Sequence, residues 1–175
     1  NVEGVEDADG ERPDWIEVSN QGDEPVELEG FGLSDDPEEP MKWVFPHGLL
    51  QPGDQRLVFA SGKDRVLSGE LHASFSLSVQ GERVSLTGPD GCVADVVEQP
   101  RLYRDESYGR SGQDPSAWEY FLEPTPDKPN TTESRPGFAA TPTLEPASGF
   151  FEGPVTVTVD SPTSSAALRL SRDGG

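Results

Sequence analysis

The stretch "RVSLTGPDGCVADVV", residues 83–97, contains the pattern that decides the fold. Two runs rich in β-branched residues, which favour extended backbone, flank the segment "GPDG". Asp90 and Gly91 tolerate the positive φ that a tight connection between strands needs. The stretch therefore predicts a β-hairpin with a loop of about four residues.

Extended runs of this kind recur about every ten residues, bounded by Gly, Pro, Asp and Asn, while helical periodicity is hard to find. This pattern predicts an all-β protein, an antiparallel β-sandwich. We expect strands at residues 15–19, 26–28, 32–34, 42–45, 56–60, 74–77, 83–87, 92–97 and 118–122. We expect their core side chains to be Ile16, Val18, Leu33, Phe45, Leu57, Phe59, Leu77, Val84, Leu86 and Val96.

The stretch "WEYFLEPTPDKPN", residues 118–130, predicts a last strand followed by an exit segment. Pro124, Pro126 and Pro129 remove backbone donors and fix φ, so we expect no ladder pairing beyond Leu122. A segment with this many prolines favours an extended, semi-rigid spacer.

Residues 131–149 are rich in Pro, Thr and Ser, which indicates a linker. In residues 150–175, alternating valines from Val155 to Val159 predict one strand, and a second is expected at Ala167–Leu170, before a turn at residues 173–175. Two strands cannot bury a core alone, so we expect this second, partial sandwich to continue past Gly175. The predicted domains are thus 1–130 and 150–175, with 131–149 as linker.

The formal net charge of −20 narrows the possible partners. Residues 1–40 hold 15 of the 33 acidic residues and one basic residue, Arg12. Such a surface repels nucleic acid and anionic lipid, and no apolar run approaches the roughly 20 residues of a membrane helix. We therefore expect no nucleic-acid partner and no membrane insertion. The single cysteine, Cys92, cannot form an internal disulfide and is expected to be a small buried residue beside a turn.

Four segments together resemble the bacterial lamin tail domain: "DWIEVSNQGDEPVELEGFGLSDD" (14–36), "KWVFPHGLLQPGDQRLVFASGKD" (42–64), "LHASFSLSVQGERVSLTGPDG" (71–91) and "SYGR…WEYFLEPTPDKPN" (107–130). The resemblance covers about residues 1–130 and implies an immunoglobulin-like β-sandwich. It also implies an extracellular or cell-surface location, since such modules usually belong to large secreted or surface-attached proteins. Family members generally begin with a strand similar to "INEF", which we expect to precede Asn1.

The tail from about Pro142 resembles the opening of a chitobiase/β-hexosaminidase C-terminal-type sandwich. "GFFEGPVTVTVDSP" (149–162) is similar to its first strand, and "LRLSRDGG" (168–175) falls where a strand ending in an Asp-Gly turn is found in that family. Neither resemblance implies a catalytic domain.

The segment "EDADGERPD", residues 6–14, is similar to a calcium-binding loop, because Asp7, Asp9 and Glu11 occupy every second position and Gly10 permits a sharp turn. A full loop of the EF-hand type needs a bidentate Glu at its twelfth position, which here is Val18. We therefore expect a flexible, solvent-exposed acidic loop and no metal site, with calcium binding as the less favoured alternative. The prolines of "DDPEEP" (35–40) likewise predict a turn whose charges point outward.

Nothing in the sequence assembles a catalytic or cofactor site. The strained nucleophile motif G-x-S-x-G is missing, and His47 and His72 fall in segments that indicate loops. "GRSGQD" (109–114) lacks the Lys of a phosphate-binding loop. We expect no catalytic residue and no cofactor.

The aromatic residues are expected to lie mainly in the core, although some could form a platform for sugar rings. Trp15 is singled out as a candidate for such a platform, because it lies on the face of its strand opposite the expected core residues Ile16 and Val18. The residues considered are Trp15, Trp43, Trp118, Phe31, Phe45, Phe59, Phe75 and Tyr103.

The sequence thus predicts a non-catalytic β-sandwich module that acts as a spacer, an adhesion unit or a binding unit for a protein or glycan partner. The alternative is an accessory carbohydrate-binding domain of a secreted hydrolase. A spacer predicts a smooth acidic exterior, whereas a glycan binder predicts a shallow aromatic groove.

Overall fold

The computed structural model describes residues 4–164, 166–169 and 171, and this part of the chain contains β-strands, turns and loops but no α-helix. The all-β prediction is confirmed. Within the described residues no helix is long and apolar enough to cross a membrane. The strands are β1 (Asp14–Ser19), β2 (Val26–Glu27), β3 (Gly32–Ser34), β4 (Trp43–Val44), β5 (Leu49–Leu50), β6 (Gln55–Ala60), β7 (Arg65–Leu67), β8 (Glu70–His72), β9 (Glu82–Thr87), β10 (Val93–Gln99), β11 (Ser107–Arg110), β12 (Trp118–Phe121), β13 (Ser134–Arg135), β14 (Thr143–Glu145) and β15 (Thr158–Asp160).

Two four-stranded sheets form the body of the first compact unit, Asn1–Arg135. The strand order is β1-β6-β8-β7 in one sheet and β10-β9-β3-β4 in the other. Neighbouring strands run antiparallel except for one parallel contact, which joins Phe59 of β6 to His72 of β8. This unit also contains the ribbon β2-β5 and the three-stranded sheet β11-β12-β13.

A single cluster of buried apolar side chains joins the two main sheets. Leu33 and Val84 come from one sheet and Val58 from the other. Trp43 and Phe45 add an edge-to-face pair with ring centroids 4.8 Å apart. Two sheets that share one apolar core form a β-sandwich.

Most of the expected core is confirmed. Leu33, Phe45, Phe59 and Val84 are buried. Ile16, Val18, Leu77 and Leu86 are half-buried and pack against the core cluster.

Leu57 and Val96 are only half-buried, and Val58 and Val97 contact the core in their place. Both faces of β6 are covered, so its apolar run does not reveal which alternate side chains face the core. A bulge near the start of β10 shifts the alternation of that strand by one residue.

The hairpin predicted at 83–97 is confirmed as β9 and β10, joined by residues 88–92. Gly91 has a φ of +81° and its N–H donates to the Gly88 carbonyl at 2.9 Å. The prediction that Cys92 is buried is wrong, because this residue is exposed at the end of the loop.

Residues 123–135, called the exit strap below, begin with a turn instead of an extended spacer. The Lys128 N–H donates to the Thr125 carbonyl at 3.0 Å, and Asp127 has a φ of +57°. Proline at the second position and a left-handed residue at the third are typical of a type II turn. The extended geometry expected here is wrong, because the dipeptide Pro126-Asp127 reverses the chain.

The exit strap then pairs with the sandwich. Its last two residues form β13, which pairs with Tyr120 and Phe121 of β12. The expectation that no ladder pairing follows Leu122 is therefore wrong. The first compact unit ends at Arg135, somewhat beyond the boundary expected at Asn130.

The second compact unit, Pro136–Gly175, contains the two-stranded ribbon β14-β15, in which Leu144 pairs with Val159. Strand β14 lies in the segment predicted to be a linker, because that prediction rested on composition alone. Residues 167–169 of the second expected strand are not in a strand, and residue 170 lies outside the described residues. The turn expected at 173–175 also lies outside them.

We predict that Leu33→Ala lowers the free energy of unfolding by about 2–5 kcal/mol, since it leaves a cavity at the centre of the core. Leu33 is 1% exposed, whereas Val66, the site of the control variant Val66→Ala, is 58% exposed. The control should change the free energy by less than about 0.5 kcal/mol. Urea unfolding followed by tryptophan fluorescence measures both, and equal losses would contradict this placement of the core.

We expect limited proteolysis to leave a resistant fragment that ends just after Arg135, because Ser134 and Arg135 are paired with β12. Mass spectrometry gives the end of the fragment. In Asn130→Ala, which loses the 2.9 Å hydrogen bond from Asn130 Nδ2 to the Arg110 carbonyl, the cut should move upstream into the strap. A wild-type fragment that ends near Asn130 would favour the boundary expected from the sequence.

Candidate functional site

The acidic loop, residues 6–11, closes on itself through backbone hydrogen bonds. The Asp7 N–H donates to the Glu11 carbonyl at 2.8 Å, and the Gly10 N–H donates to the Asp7 carbonyl at 2.9 Å. Asp7 Oδ1 accepts the N–H groups of Asp9 and Glu11 at 3.0 and 2.9 Å. Gly10 has a φ of +78°, a conformation that glycine adopts without strain.

A lysine ammonium lies among the three carboxylates of this loop. Lys63 Nζ is 2.6 Å from Asp7 Oδ2, 2.6 Å from Asp9 Oδ2 and 2.8 Å from Glu11 Oε2. The Arg65 guanidinium also contacts Asp9. One oxygen of each carboxylate lies within 4.8 Å of the others, which is a spacing that could hold a metal ion. Here the chain's own ammonium contacts all three.

The acidic loop is solvent-exposed apart from Asp7, as expected, but it is also anchored to the sandwich. Asp7 is 5% exposed. Glu70 Oε2 of β8 accepts the Ala8 N–H at 3.0 Å, which adds a second attachment beside Lys63. The sequence did not reveal these partners because Lys63 and Glu70 lie more than 50 residues away from the loop.

The pKa values follow from this geometry. The hydrogen bond from Lys63 lowers the pKa of Asp7 to about 2, burial opposes it, and the N–H groups of Glu11 and Asp9 lower it further. Lys63 and Arg65 also lower the pKa of Asp9, and the three carboxylates raise the pKa of Lys63. The ion pairs therefore remain fully charged at neutral pH.

Ser61, His72 and Glu70 form a row that resembles the order of a hydrolase triad. Ser61 Oγ is 3.0 Å from His72 Nδ1, and Glu70 Oε2 is 3.4 Å from His72 Nε2. His72 is fully buried and stacks on Phe59 with ring centroids 5.1 Å apart. A substrate cannot reach a fully buried base, so this row links strands and does not form an open active site. The expectation that His72 lies in a loop is wrong, whereas His47 is an exposed loop residue.

The exposed thiol of Cys92 is not activated. Asp90 hydrogen-bonds to the thiol, and this bond together with the carboxylate charge raises the pKa of Cys92. A raised pKa keeps the thiol protonated and weakens it as a nucleophile.

An aromatic face lies on the sheet β11-β12-β13, and we use this name for Tyr108, Arg110, Trp118, Tyr120 and Arg135. Register places Tyr108 opposite Tyr120, Arg110 opposite Trp118, and Arg135 beside Tyr120. Because side chains alternate along a strand, all five lie on one side of the sheet, while Phe121 is buried on the other.

Within the aromatic face, Tyr108 stacks on Trp118 and packs at a tilt of 57° against Tyr120. Tyr108 and Trp118 lie at an interplanar angle of 22° with centroids 5.5 Å apart, and Tyr108 and Tyr120 have centroids 5.0 Å apart. The Arg110 guanidinium lies 4.7 Å from the centre of the Trp118 ring. Arg110 is held there by Asp95, at 2.8 and 2.7 Å from its two carboxylate oxygens.

The aromatics considered in the sequence divide between core and surface. Trp43, Phe45, Phe59 and Phe75 are buried, as expected. Trp15 is half-buried opposite Phe59, and Trp118 belongs to the aromatic face. The alternation in "WEYF" places Tyr120 on the same side of its strand as Trp118, but sequence reasoning missed Tyr108 and Arg110 of "SYGR" and did not identify this side as a candidate site.

The comparisons with known proteins give one match. The family model of the Lamin Tail Domain matches residues 2–101. The match covers β1–β10 and ends before the aromatic face. No curated protein and no solved structure matches the chain significantly.

We predict that Asp7→Asn removes part of the acid sensitivity of the fold. The folded-state pKa of Asp7, about 2, lies below its ordinary value of 3.8, so ionised Asp7 stabilises the folded state above about pH 4. This contribution is lost as the pH falls through about 2. Thermal unfolding should show a lower midpoint for Asp7→Asn than for the wild type at pH 7, with the difference shrinking towards pH 2. The control Asp23→Asn, at an exposed residue, should match the wild type, and a difference for Asp7→Asn that is constant with pH would contradict the prediction.

Proposed function

Because the chain belongs to the lamin tail domain family, we propose that it is a non-catalytic module that binds a protein partner through its aromatic face. The family is an immunoglobulin-like, non-enzymatic one. The single observation that carries the proposal is the grouping of three contacting rings and two arginines on one side of the sheet β11-β12-β13.

The residue types of the aromatic face support protein binding. Tyr, Trp and Arg are the residues most enriched at the centres of protein interfaces, where a few side chains contribute most of the binding energy. All five residues of the face are exposed in part: Tyr108, Arg110, Trp118 and Tyr120 are half-buried and Arg135 is exposed. Arg110 is held in place by Asp95, so it loses little freedom on binding.

The charge of the chain supports a cationic partner segment. A net charge of −20 attracts basic surfaces and repels acidic ones. The Arg110 guanidinium beside the Trp118 ring is an example within the chain of the cation–π contact by which an arginine of the partner would pair with the tyrosine rings of the face. A sugar platform needs an open ring face, and here Trp118 is stacked against both Arg110 and Tyr108. We therefore propose a lysine- or arginine-bearing segment of a protein in preference to a glycan.

The setting of the module is part of the same proposal. Resemblance to lamin tail modules of large secreted and surface-attached proteins supports an extracellular or cell-surface multidomain parent, in which the chain is also a spacer. The similarity of the tail to the chitobiase/β-hexosaminidase C-terminal type supports a second sandwich after the exit strap. The buried position of His72 supports the non-catalytic assignment.

We expect an arginine-rich peptide to bind the isotope-labelled chain and to shift the NMR signals of Tyr108, Trp118 and Tyr120. Tyr108→Ser should weaken this binding by about tenfold or more, as for a central interface residue. Tyr103→Ser is the matched control, because Tyr103 is 56% exposed and lies outside the aromatic face. A glutamate-rich peptide of equal length should not bind.

Three outcomes would count against the proposal. Peptide binding that shifts only the acidic loop would move the site away from the aromatic face. Binding of a chito-oligosaccharide in place of the peptide would favour the accessory carbohydrate-binding alternative. Equal affinity of Tyr108→Ser, shown by its unfolding curve to be folded, would remove the face from the interface.

A further inference from the structure

Glu17 is a carboxylate on the outer side of the sandwich, in the middle of strand β1. Its neighbours Ile16 and Val18 pack against the core, so alternation directs Glu17 to the opposite side of the sheet. Across the ladder it faces Leu57 of β6, an apolar residue that cannot pair with a charge. Trp15 lies on the same side of β1.

The exit strap lies against Glu17 on the outer side of the sheet. The Asp127 N–H, at the tip of the strap's turn, donates a hydrogen bond to Glu17 Oε1. The Asp127 carboxylate is the charged group that the strap brings towards Glu17, and its charge has the same sign. Docking of the strap thus places a carboxylate beside a second carboxylate and an apolar strand.

We propose that Glu17 makes the docking of the exit strap depend on pH, so that the strap is held most tightly at acidic pH and is loosened as the pH rises to neutral. The covered position of Glu17, the apolar Leu57 across the ladder and the like charge of Asp127 together carry this inference. Leu57 faces Glu17 in either state, whereas the cover of the strap and the charge of Asp127 oppose ionisation only while the strap is docked.

The direction of the pH effect follows from the pKa of Glu17. Burial raises it from 4.5 to about 7, the Asp127 N–H opposes the shift, and the Asp127 charge adds to it. A carboxyl whose pKa is higher in the docked state binds more protons there than in the released state. Docking is therefore strongest below about pH 4.5, weakens as the pH rises to about 7, and stays level above that.

Other contacts hold the far end of the strap. Asn130 Nδ2 donates to the Arg110 carbonyl at 2.9 Å, and Ser134 Oγ donates to Glu119 Oε2 at 2.7 Å. The strap also packs closely on Gly112, where an added Cβ would lie 2.2 Å from the Asn130 carbonyl oxygen. These contacts keep the fold intact while the Glu17 end of the strap responds to pH.

Loosening of the strap has a consequence for the aromatic face, and this part rests on the proposed function. The strap ends in β13, which places Arg135 beside Tyr120. Loosening at the Glu17 end leaves β13 with less support, which weakens its pairing with β12 and the placement of Arg135. The pH of the surroundings would thereby regulate the proposed partner-binding surface.

Hydrogen exchange of the full chain tests the switch without any ligand. Protection factors of the strap amides, corrected for intrinsic exchange, should fall by about tenfold or more between pH 5 and pH 8. Each unit by which the pKa of Glu17 differs between the docked and the released strap can change the docking equilibrium tenfold. In Glu17→Gln they should change by less than about twofold over the same range. The control Glu24→Gln, at an exposed loop residue, should behave like the wild type.

A second variant refines the test. Asp127→Asn keeps the N–H donor and tolerates the positive φ, but it removes the like charge, so the pH midpoint of the protection change should move down. Wild-type protection that does not vary with pH, or equal variation in Glu17→Gln, would overturn the switch. If the switch is observed while the arginine-rich peptide binds at neither pH, the switch stands and the proposed function fails.

Discussion

The structure depends on one constraint: the inner sides of two small sheets must exclude water together, because neither can bury its apolar side chains alone. Leu33 and Val84 from one sheet meet Val58 from the other, and the Trp43–Phe45 pair fills the space between them. With only 32% hydrophobic residues, the chain places these groups in alternation along short strands. Most of its 33 acidic residues can then remain on outer surfaces, where water and salt screen their repulsion.

Polar interactions attach the acidic loop and the exit strap to the sandwich. In these two attachments the pKa of a carboxylate shifts in opposite directions. Asp7 is covered, but it receives an ammonium and two N–H donors, so it stays ionised and its pKa falls. Glu17 is also covered, but it receives a single N–H donor beside a like charge, so its pKa rises. The first arrangement makes a permanent anchor for the acidic loop. The second makes an attachment of the exit strap that protons can adjust.

The same sandwich carries two arrangements of polar and aromatic residues with different chemical possibilities. The row Ser61–His72–Glu70 has the order of a triad, yet its imidazole is fully buried against Phe59. The aromatic face, in contrast, is partly exposed and lies on a short sheet outside the main core. Exposure, not the identity of the residues, therefore separates a structural hydrogen-bond row from a surface that can contact a partner.

The sequence by itself determined the all-β class, the hairpin at 83–97 and most of the core, because alternation and turn residues act between near neighbours. It could not determine which side of β6 faces the core, since Leu57, Val58 and Phe59 are all apolar and the strand is covered on both sides. Partners distant in sequence were equally hidden: composition alone indicated a free acidic loop and a free linker. Only the tertiary structure brought Lys63 to Asp7 and folded the exit strap back onto Glu17, because such contacts depend on the path of the whole chain and not on any local pattern.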